Sequence, residues 1–246
     1  MERKVLRTDG RKWNQSRKID LVIGYLKYAE GSCLATAGNT KILVSATYEQ
    51  RVPPFLLGTG KGWITAEYSL LPRSTVQRTM RESVMGRLQG RTQEISRFIG
   101  RSLRSIFDLT LLGEAQIIID CDVIQADGGT RTLAVNGGFC ALAQCVNYLL
   151  DKKIIKKNPI LENVSAISVG IVNGKILLDL NYQEDSSADA DMNLVMTETG
   201  RIVEIQSTAE KRSFSHQEFQ KMFTVAEKEI KKIIKLQKEC LRKAIK

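Results

Sequence analysis

The sequence of 246 residues is 43% hydrophobic and 26% charged, which is enough apolar material for a full core. No apolar run approaches the length of a membrane span and the start, MERKVLRTDGRKWNQ, is charged, so we expect no span, no secretory signal and a cytoplasmic location. The 37 Lys and Arg exceed the 27 Asp and Glu, and the net charge of +10 favours a polyanionic partner over a neutral one.

The first half of the chain alternates strand-like runs with one amphipathic helix. Strands are predicted at about 19–28, 32–36, 41–48 and 63–68. A helix follows near 92–107, because apolar residues recur there at helical spacing, namely Ile95, Phe98, Ile99 and Ile106.

Residues 73–104 hold eight arginines and no lysine, whereas the rest of the chain has 20 Lys and nine Arg. A planar guanidinium can bind two phosphate oxygens at once, which a solvated surface in a Lys-rich protein does not need. The segment is therefore predicted to bind phosphate or RNA, with an ordinary basic surface as the alternative. Its polar, Pro-containing part is predicted to be a surface loop that carries Arg73, Arg78 and Arg81.

The stretch QADGGTRT (125–132) lies between a predicted strand at 116–125 and a predicted helix at 132–150. Two glycines allow positive φ or a close backbone approach, and Thr130 can cap the helix. Helix N-termini attract phosphate through unpaired N–H groups, and Arg131 adds a bidentate donor. The stretch thus predicts an anion site, with a tight turn that has an incidental arginine as the alternative.

The second half repeats the alternation, which suggests two similar halves and an α+β class. Strands are predicted near 164–172, 175–181, 191–197 and 201–207, with Asn173-Gly174 as a type I′ hairpin turn. A capping box from Ser215 to Glu218 predicts the start of a C-terminal helix, whose many lysines form a solvated face. No Pro-rich or Ser-rich linker separates the halves, so one domain is expected.

Five carboxylates fall within residues 179–191. Like charges at this spacing repel unless solvent, arginine or a hard cation lies among them, and oxygen ligands suit Mg²⁺ or Mn²⁺. An acidic surface loop is the alternative. Asp189 shares a face with Asp191 if 189–191 is extended, although it can equally face solvent.

The residues that are missing narrow the chemistry. The five cysteines form no CxxC pair, which argues against a disulfide framework or a zinc site. The only histidine, His216, directly follows the capping serine of the last helix, so a histidine base has little support. A phosphate site, an arginine-rich groove and a hard-metal cluster together describe phosphoryl transfer at a nucleic-acid backbone.

Several long motifs resemble bacterial ribonuclease PH in order and spacing over nearly the whole chain. They are RTDGR (7–11), AEGSCL (29–34), GNTKIL (38–43), VPPFLLGTGKGWITAEYSLLPRST (52–75), GRTQEISRFIGRSLR (90–104), IDCDVIQADGGTRT (119–132) and EDSSADADMNLVMTETGRIVEIQSTAE (184–210). The resemblance implies a phosphate-dependent 3′-to-5′ exoribonuclease, a tRNA nucleotidyltransferase. Such an enzyme trims precursor tRNA as inorganic phosphate attacks the terminal phosphodiester and a nucleoside diphosphate leaves.

The same resemblance implies a fold, an assembly and a set of site residues. The fold is the ribonuclease PH fold, made of duplicated β-α units of the ribosomal protein S5 domain 2-like type. It forms a single domain with packed halves at about 1–115 and 116–246, and a homo-oligomer, a hexameric ring of dimers. Phosphate is bound by Arg91, Gly129, Thr130 and Arg131, RNA is guided by Arg73, Arg78 and Arg81, and the catalytic, metal-binding acids are Asp185 and Asp191.

The sequence departs from the family pattern at two places. Asn14-Gln15-Ser16 stands where Asp-Gln-Leu is usual, and Ser207 replaces a usual glycine; we expect neither to touch the site. The alternative function is a catalytically silent RNA-binding ring subunit of the same architecture. Such a subunit would be expected to lose Asp185, Asp191 or Arg131, all of which are present here.

Overall fold

The computed structural model describes residues 7–244, which form two β-sheets and their packed helices. The five-stranded sheet has the order β1 (Ile19–Ile23), β2 (Gly31–Ala37), β3 (Thr40–Glu49), β5 (Gln116–Gln125) and β4 (Trp63–Leu70). The four-stranded sheet has the order β7 (Lys175–Leu178), β6 (Val164–Val172), β8 (Ala190–Thr197) and β9 (Ile202–Ala209). The helices are α1 (Glu82–Met85), α2 (Gly90–Arg104), α3 (Thr130–Asp151), α4 (Tyr182–Ser187) and α5 (His216–Ala244).

Among these strands only β4 and β5 pair in parallel, and α2 connects them. A parallel pair needs a crossover connection, which here places α2 against β4. The segment after β5 leads directly into α3. The amino ends of α2 and α3 both carry residues that are predicted to bind phosphate. The predicted α+β class is confirmed by this architecture.

Helix α3 is the core helix, because it packs on β2 and β3 with one side and on β6 with another. A Cβ atom at Gly137 would lie 2.9 Å from the Cβ of Ala35, so glycine permits this close helix–sheet approach. The expectation that no apolar run reaches the length of a membrane span is wrong for α3. This helix is long enough and apolar enough to cross a membrane, by length and composition alone. Since most of the helix is buried inside the fold, its apolar character serves the core.

Helix α5 begins as the capping box predicts. The backbone N–H of Glu218 donates to Ser215 Oγ at 3.2 Å, and that of Ser215 donates to Glu218 Oε2 at 2.7 Å. Its apolar stripe packs on β6, β7 and β8, while most of its lysines remain exposed, as predicted. Ser16, which stands where the family usually has leucine, is accommodated here, because its Oγ donates to buried Glu229.

Two strands end earlier than predicted for local backbone reasons, and α2 ends at Arg104, before the predicted 107, so Ile106 lies outside it. The strand predicted at 19–28 ends at Ile23 because Gly24 takes a φ of +73°. The strand predicted at 175–181 ends at Leu178 because Asp179 takes a φ of +53°. The segment 182–187, for which no helix was predicted, forms the short helix α4. The Asn173-Gly174 turn is confirmed, with φ of +50° and +72°.

Candidate active site

The turn before α3 has the shape of an anion cradle. Gly128 and Gly129 take φ of +76° and +66°, and a Cβ atom on Gly128 would lie 2.4 Å from the carbonyl oxygen of Leu180. Both positions therefore require glycine, and the turn packs directly on the segment that leads to the acidic residues. The α3 amino end, with its unpaired N–H groups and positive dipole end, opens at this point.

Thr130 does not cap α3, contrary to the sequence prediction. Gly129 is the residue that precedes the helix, and Thr130 is its first residue. The Thr130 hydroxyl oxygen instead accepts a hydrogen bond from the Tyr68 hydroxyl at 2.8 Å. Since Thr130 Oγ1 is the acceptor in that bond, its own hydroxyl hydrogen is left to donate to another group.

Buried Arg17 holds the back of this turn. Its guanidinium donates to the carbonyl oxygens of Asp127 and Gly128, the latter at 3.3 Å. It also donates from Nε and Nη2 to the carboxylate of Asp179, at 2.9 and 2.6 Å. Arg17 therefore occupies both carbonyl oxygens of the turn, and the amino end of α3 that follows has no side-chain cap.

Three of the five crowded carboxylates have other partners. Asp179 is bound by Arg17, and Arg7 donates from both Nε and Nη2 to the carboxylate of Glu184. Burial alone would raise the pKa of Asp179, but hydrogen bonds and the charge of Arg17 lower it below its usual value. Asp189 accepts from the backbone N–H of Gly174 at 3.0 Å, so its carboxylate is bound to the turn of the β6–β7 hairpin.

Asp185 on α4 and Asp191 on β8 are the two that remain, and among residues 7–244 neither carboxylate has an ion pair within 4 Å. Asp185 is exposed to solvent, yet the surrounding protein removes part of its hydration and thereby raises its pKa. Burial, followed by the negative charge of Asp185, raises the pKa of Asp191. The two carboxylates are therefore close enough to repel each other, which is the situation that a cation relieves.

The two predicted phosphate-binding arginines approach the same acids. Arg91 and Arg131 are each the second residue of their helices, α2 and α3. Burial raises the pKa of Asp185, and the charges of Arg91 and Arg131 partly offset that rise, so both guanidinium groups lie near this carboxylate. Nη1 of Arg131 donates to Glu94 Oε1 at 3.2 Å and to Gln206 Oε1 at 2.6 Å.

The predicted RNA-guiding arginines lie on the loop that follows β4, and all three are exposed. The backbone N–H of Thr79 donates to the carbonyl of Pro72 at 2.9 Å and closes this loop. The carbonyl of Ser74 accepts from the N–H of Ala126 at 2.8 Å, so the base of the loop is joined to the turn before α3. The structure thus confirms the surface position of Arg73, Arg78 and Arg81, which leaves their role in RNA binding as a prediction.

Two other arginines of the 73–104 segment have structural partners. Arg101 donates to the carboxylate of Glu204 at 2.6 and 3.1 Å. The Arg104 guanidinium lies 4.2 Å from the centre of the Trp63 ring and donates to the carbonyl of Ile64. The arginine bias of this segment therefore reflects packing as well as phosphate chemistry.

Ser207, which replaces a glycine that is usual in the family, does touch the site, contrary to expectation. Ser207 Oγ donates to the main-chain carbonyl of Asp191 at 2.9 Å. Sequence reasoning also missed Arg17, Asp179 and Tyr68. Each contact joins residues far apart in the chain, and no local spacing could have revealed it.

The residues of the site fit a divalent cation of the Mg²⁺ type. No group of three or more His, Cys, Asp or Glu side chains able to hold a metal occurs among residues 7–244. Mg²⁺ is commonly bound by one or two carboxylates together with substrate phosphate and water, so two neighbouring acids suffice. Asp185 and Asp191 provide that pair, and the anion cradle lies beside them.

Comparison with known proteins gives matches over nearly the whole chain. Residues 15–146 match the model of the 3′ exoribonuclease family, domain 1, and residues 162–229 match domain 2. The ribonucleases PH of Bacillus pumilus and Bacillus subtilis are each 54% identical to this chain. The matches cover 95% and 96% of this chain respectively, and 97% of each relative.

Solved structures share the fold at lower sequence identity. Rice Rrp46 matches with a TM-score of 0.77 and 20% identity, over 96% of this chain and 100% of that one. The Archaeoglobus fulgidus exosome with RNA bound to its active site matches with a TM-score of 0.77 and 20% identity, over 99% of this chain and 94% of that one.

Proposed function

This chain belongs to the 3′ exoribonuclease family, and on that basis we propose how its site binds phosphate, metal and RNA. Because relatives 52–54% identical over at least 95% of the chain are all named ribonuclease PH, the protein is a phosphorolytic 3′-to-5′ exoribonuclease of tRNA processing. The alternative of a silent ring subunit is disfavoured, since Asp185, Asp191 and Arg131 are all retained.

Inorganic phosphate is the attacking group, and the turn before α3 binds it. The main observation that supports this is the Arg17-anchored glycine turn at the uncapped amino end of α3, with Arg91 and Arg131 near the same acid. Helix N–H groups, the Thr130 hydroxyl and two guanidinium groups would together neutralise and orient the anion. The phosphate-binding set is therefore Arg91, Gly129, Thr130 and Arg131.

In the reaction, a phosphate oxygen forms a new bond to the phosphorus of the last phosphodiester. The bond from that phosphorus to the 3′ oxygen of the preceding nucleotide breaks, and that oxygen takes up a proton. The products are a nucleoside diphosphate and an RNA one nucleotide shorter. The protein needs no nucleophile of its own, so its contribution is to position the reactants and stabilise the charge that develops.

Asp185 and Asp191 would hold Mg²⁺ or Mn²⁺, which supplies charge neutralisation at the reacting phosphates when bound. The raised pKa values of both acids support this role, because each carboxylate gains more from a nearby cation than a solvated one does. The protein residues bring the two carboxylates together from α4 and β8, in reach of the anion cradle.

RNA, as the 3′ end of precursor tRNA, would be guided by the exposed loop of Arg73, Arg78 and Arg81. The active form would be a homo-oligomer, a hexameric ring of dimers in the cytoplasm. Exposed apolar side chains next to edge strand β4 support burial against another copy: Phe55 is 66% exposed and Leu57 66% exposed.

The test is digestion of a 3′-tailed RNA with Mg²⁺, in the presence and absence of phosphate, with separation of the nucleotides released. Nucleoside 5′-diphosphates should form only with phosphate. Monophosphates formed at full rate in phosphate-free buffer would contradict the proposal. Arg131→Lys should be poorly tolerated, because an ammonium keeps the charge but loses the paired donors.

A further inference from the structure

We propose that Glu94 and Gln206 are positioning residues that hold the Arg131 guanidinium by Nη1, so that its Nε–Nη2 edge faces phosphate. This inference rests on the proposed phosphate site. An arginine can bind an anion bidentately through either the Nη1–Nη2 or the Nε–Nη2 pair of donors. Which pair is available depends on the protein partners of the guanidinium.

Among residues 7–244, Arg131 donates only from Nη1, to Glu94 Oε1 at 3.2 Å and Gln206 Oε1 at 2.6 Å. With Nη1 occupied on the side of α2 and β9, the Nε and Nη2 donors remain for the anion. The Arg131 side chain is 22% exposed, and neither Nε nor Nη2 is among the fully buried polar atoms without a partner in residues 7–244, so both donors are accessible. The guanidinium is thereby oriented before phosphate arrives, which reduces the entropy lost on binding.

The orientation of the Gln206 amide is fixed by carboxylates. Its Nε2 group donates to Glu94 Oε1 at 2.8 Å and to Glu204 Oε1 at 3.1 Å. A flipped amide would direct its oxygen at two carboxylates and its NH₂ group at Arg131, so all three favourable contacts of this amide would become repulsive. Arg101 in turn holds Glu204 through two hydrogen bonds.

The network runs from Arg101 through Glu204, the neutral Gln206 amide and Glu94 to Arg131, so each carboxylate accepts from an arginine and from the Gln206 NH₂ group. Glu94 and Arg101 lie on α2, Glu204 and Gln206 lie on β9, and Arg131 lies on α3. The network therefore joins helices packed with the first sheet to a strand of the second. Because Arg91 is one helical turn before Glu94, the same face of α2 supplies one phosphate-binding arginine and orients the other.

The test compares variants by their KM for phosphate, their KM for RNA and their kcat. Gln206→Leu and Glu94→Ala should each raise the KM for phosphate about tenfold, since each removes a charge-assisted contact to a partly exposed arginine, with little change in the KM for RNA. Glu94→Gln keeps an acceptor for Arg131 and should recover most of the phosphate affinity that Glu94→Ala loses. Gln206→Glu should not recover it, because it would place three carboxylates together.

The exposed neighbour Gln93 gives a matched control, as Gln93→Leu removes the same amide without touching Arg131. If the parent releases nucleoside diphosphates only with phosphate, yet Gln206→Leu and Glu94→Ala change the KM for phosphate less than about twofold, the positioning role is wrong while the proposed function stands. If the parent itself does not depend on phosphate, the proposed function fails. Should Gln206→Leu not fold by circular dichroism, the comparison of Glu94→Ala with Glu94→Gln still decides the question.

Discussion

The carboxylate of Asp179 is bound bidentately by Arg17, whose Nε and Nη2 atoms lie 2.9 and 2.6 Å from its two oxygens. The same guanidinium donates to the carbonyls of Asp127 and Gly128 in the turn before α3. One buried ion pair thus joins the turn proposed to bind phosphate to the segment that leads to Asp185 and Asp191, the proposed catalytic acids. Its partners are 162 residues apart in the chain.

Arg17→Met should lower the free energy of unfolding by about 3 kcal/mol, because it leaves a buried carboxylate without its main partner. The value is at the lower end of the usual range since Arg11 still contacts Asp179. Urea unfolding of the RNA-free protein measures the change. Adding Asp179→Asn to Arg17→Met should recover part of the loss, because the uncompensated charge is then gone. A single variant as stable as the parent would show that this pair does not hold the two segments together.

Tyr68→Phe should raise the KM for phosphate about fivefold with little effect on stability, because it removes one neutral hydrogen bond and keeps the ring packing. The Tyr68 hydroxyl donates to Thr130 Oγ1 at 2.8 Å and so leaves the threonine hydrogen for phosphate. Initial rates across a phosphate series give the KM. Tyr48→Phe is the matched control, a half-buried tyrosine on β3 of the same sheet, which β5 separates from β4. Equal effects of the two changes would rule out a specific role for the Tyr68 hydroxyl.

Much of the fold could be predicted from local patterns. Apolar alternation located most strands, and the Ser215–Glu218 box located the start of α5, because both signals depend only on neighbouring residues. Helix α4 was missed although Asn181 and Glu184 form a capping box. It has six residues and no apolar repeat, so its stability comes from distant contacts such as that of Arg7 with Glu184.

The site could be predicted less completely. The glycine pair and the crowded acids are visible in the sequence, yet the sequence alone could not separate Asp185 and Asp191 from their neighbours without the family resemblance. The separation depends on which acids receive a buried arginine or, for Asp189, a hairpin N–H, and that is decided by the tertiary fold. Repulsion within the acidic stretch is relieved mainly by Arg7, Arg11 and Arg17, with two carboxylates left for a cation.

Asp185→Asn and Asp191→Asn should each abolish most turnover while leaving RNA affinity nearly intact. Loss of a metal-binding carboxylate harms the transition state more than ground-state binding. Single-turnover rates and RNA binding at the same Mg²⁺ concentration separate the two effects. Asp189→Asn is the matched control, since Asp189 faces the β6–β7 hairpin. Unchanged turnover in either test variant would refute the catalytic role of that acid.

Asp191→Asn should also make the metal-free protein more stable near neutral pH. Burial and then the charge of Asp185 raise the pKa of Asp191, so the folded state binds its proton more tightly than the unfolded state. Stability attributable to this group therefore falls as pH rises from the usual carboxyl value through the raised one. Thermal unfolding with a chelator, at about pH 7 and about pH 3.5, should show a gain only at the higher pH. A destabilised variant at neutral pH would contradict the repulsion inferred between the two acids.

Replacement of Arg73, Arg78 and Arg81 with Ala should weaken binding of tailed tRNA far more than reaction on a short oligonucleotide. The three side chains are exposed on a loop joined at its base to the turn before α3, so they can reach RNA beyond the scissile bond. If each contacts one phosphate, the slope of log affinity against log salt should fall by about 0.7–0.9 per arginine lost. Affinity for both substrates across a salt series measures this.

A matched control removes the same charge elsewhere. Lys221, Lys228 and Lys235 lie on the polar side of α5 and form no ion pair within residues 7–244, so their triple Ala variant lowers the net charge equally. If α5 is only a solvated face, this variant should keep the parent salt slope. Equal losses on long and short RNA for the arginine variant would instead place its side chains in the active site or in a subunit interface. Sedimentation separates these outcomes, because only loss of an interface reduces the size of the assembly.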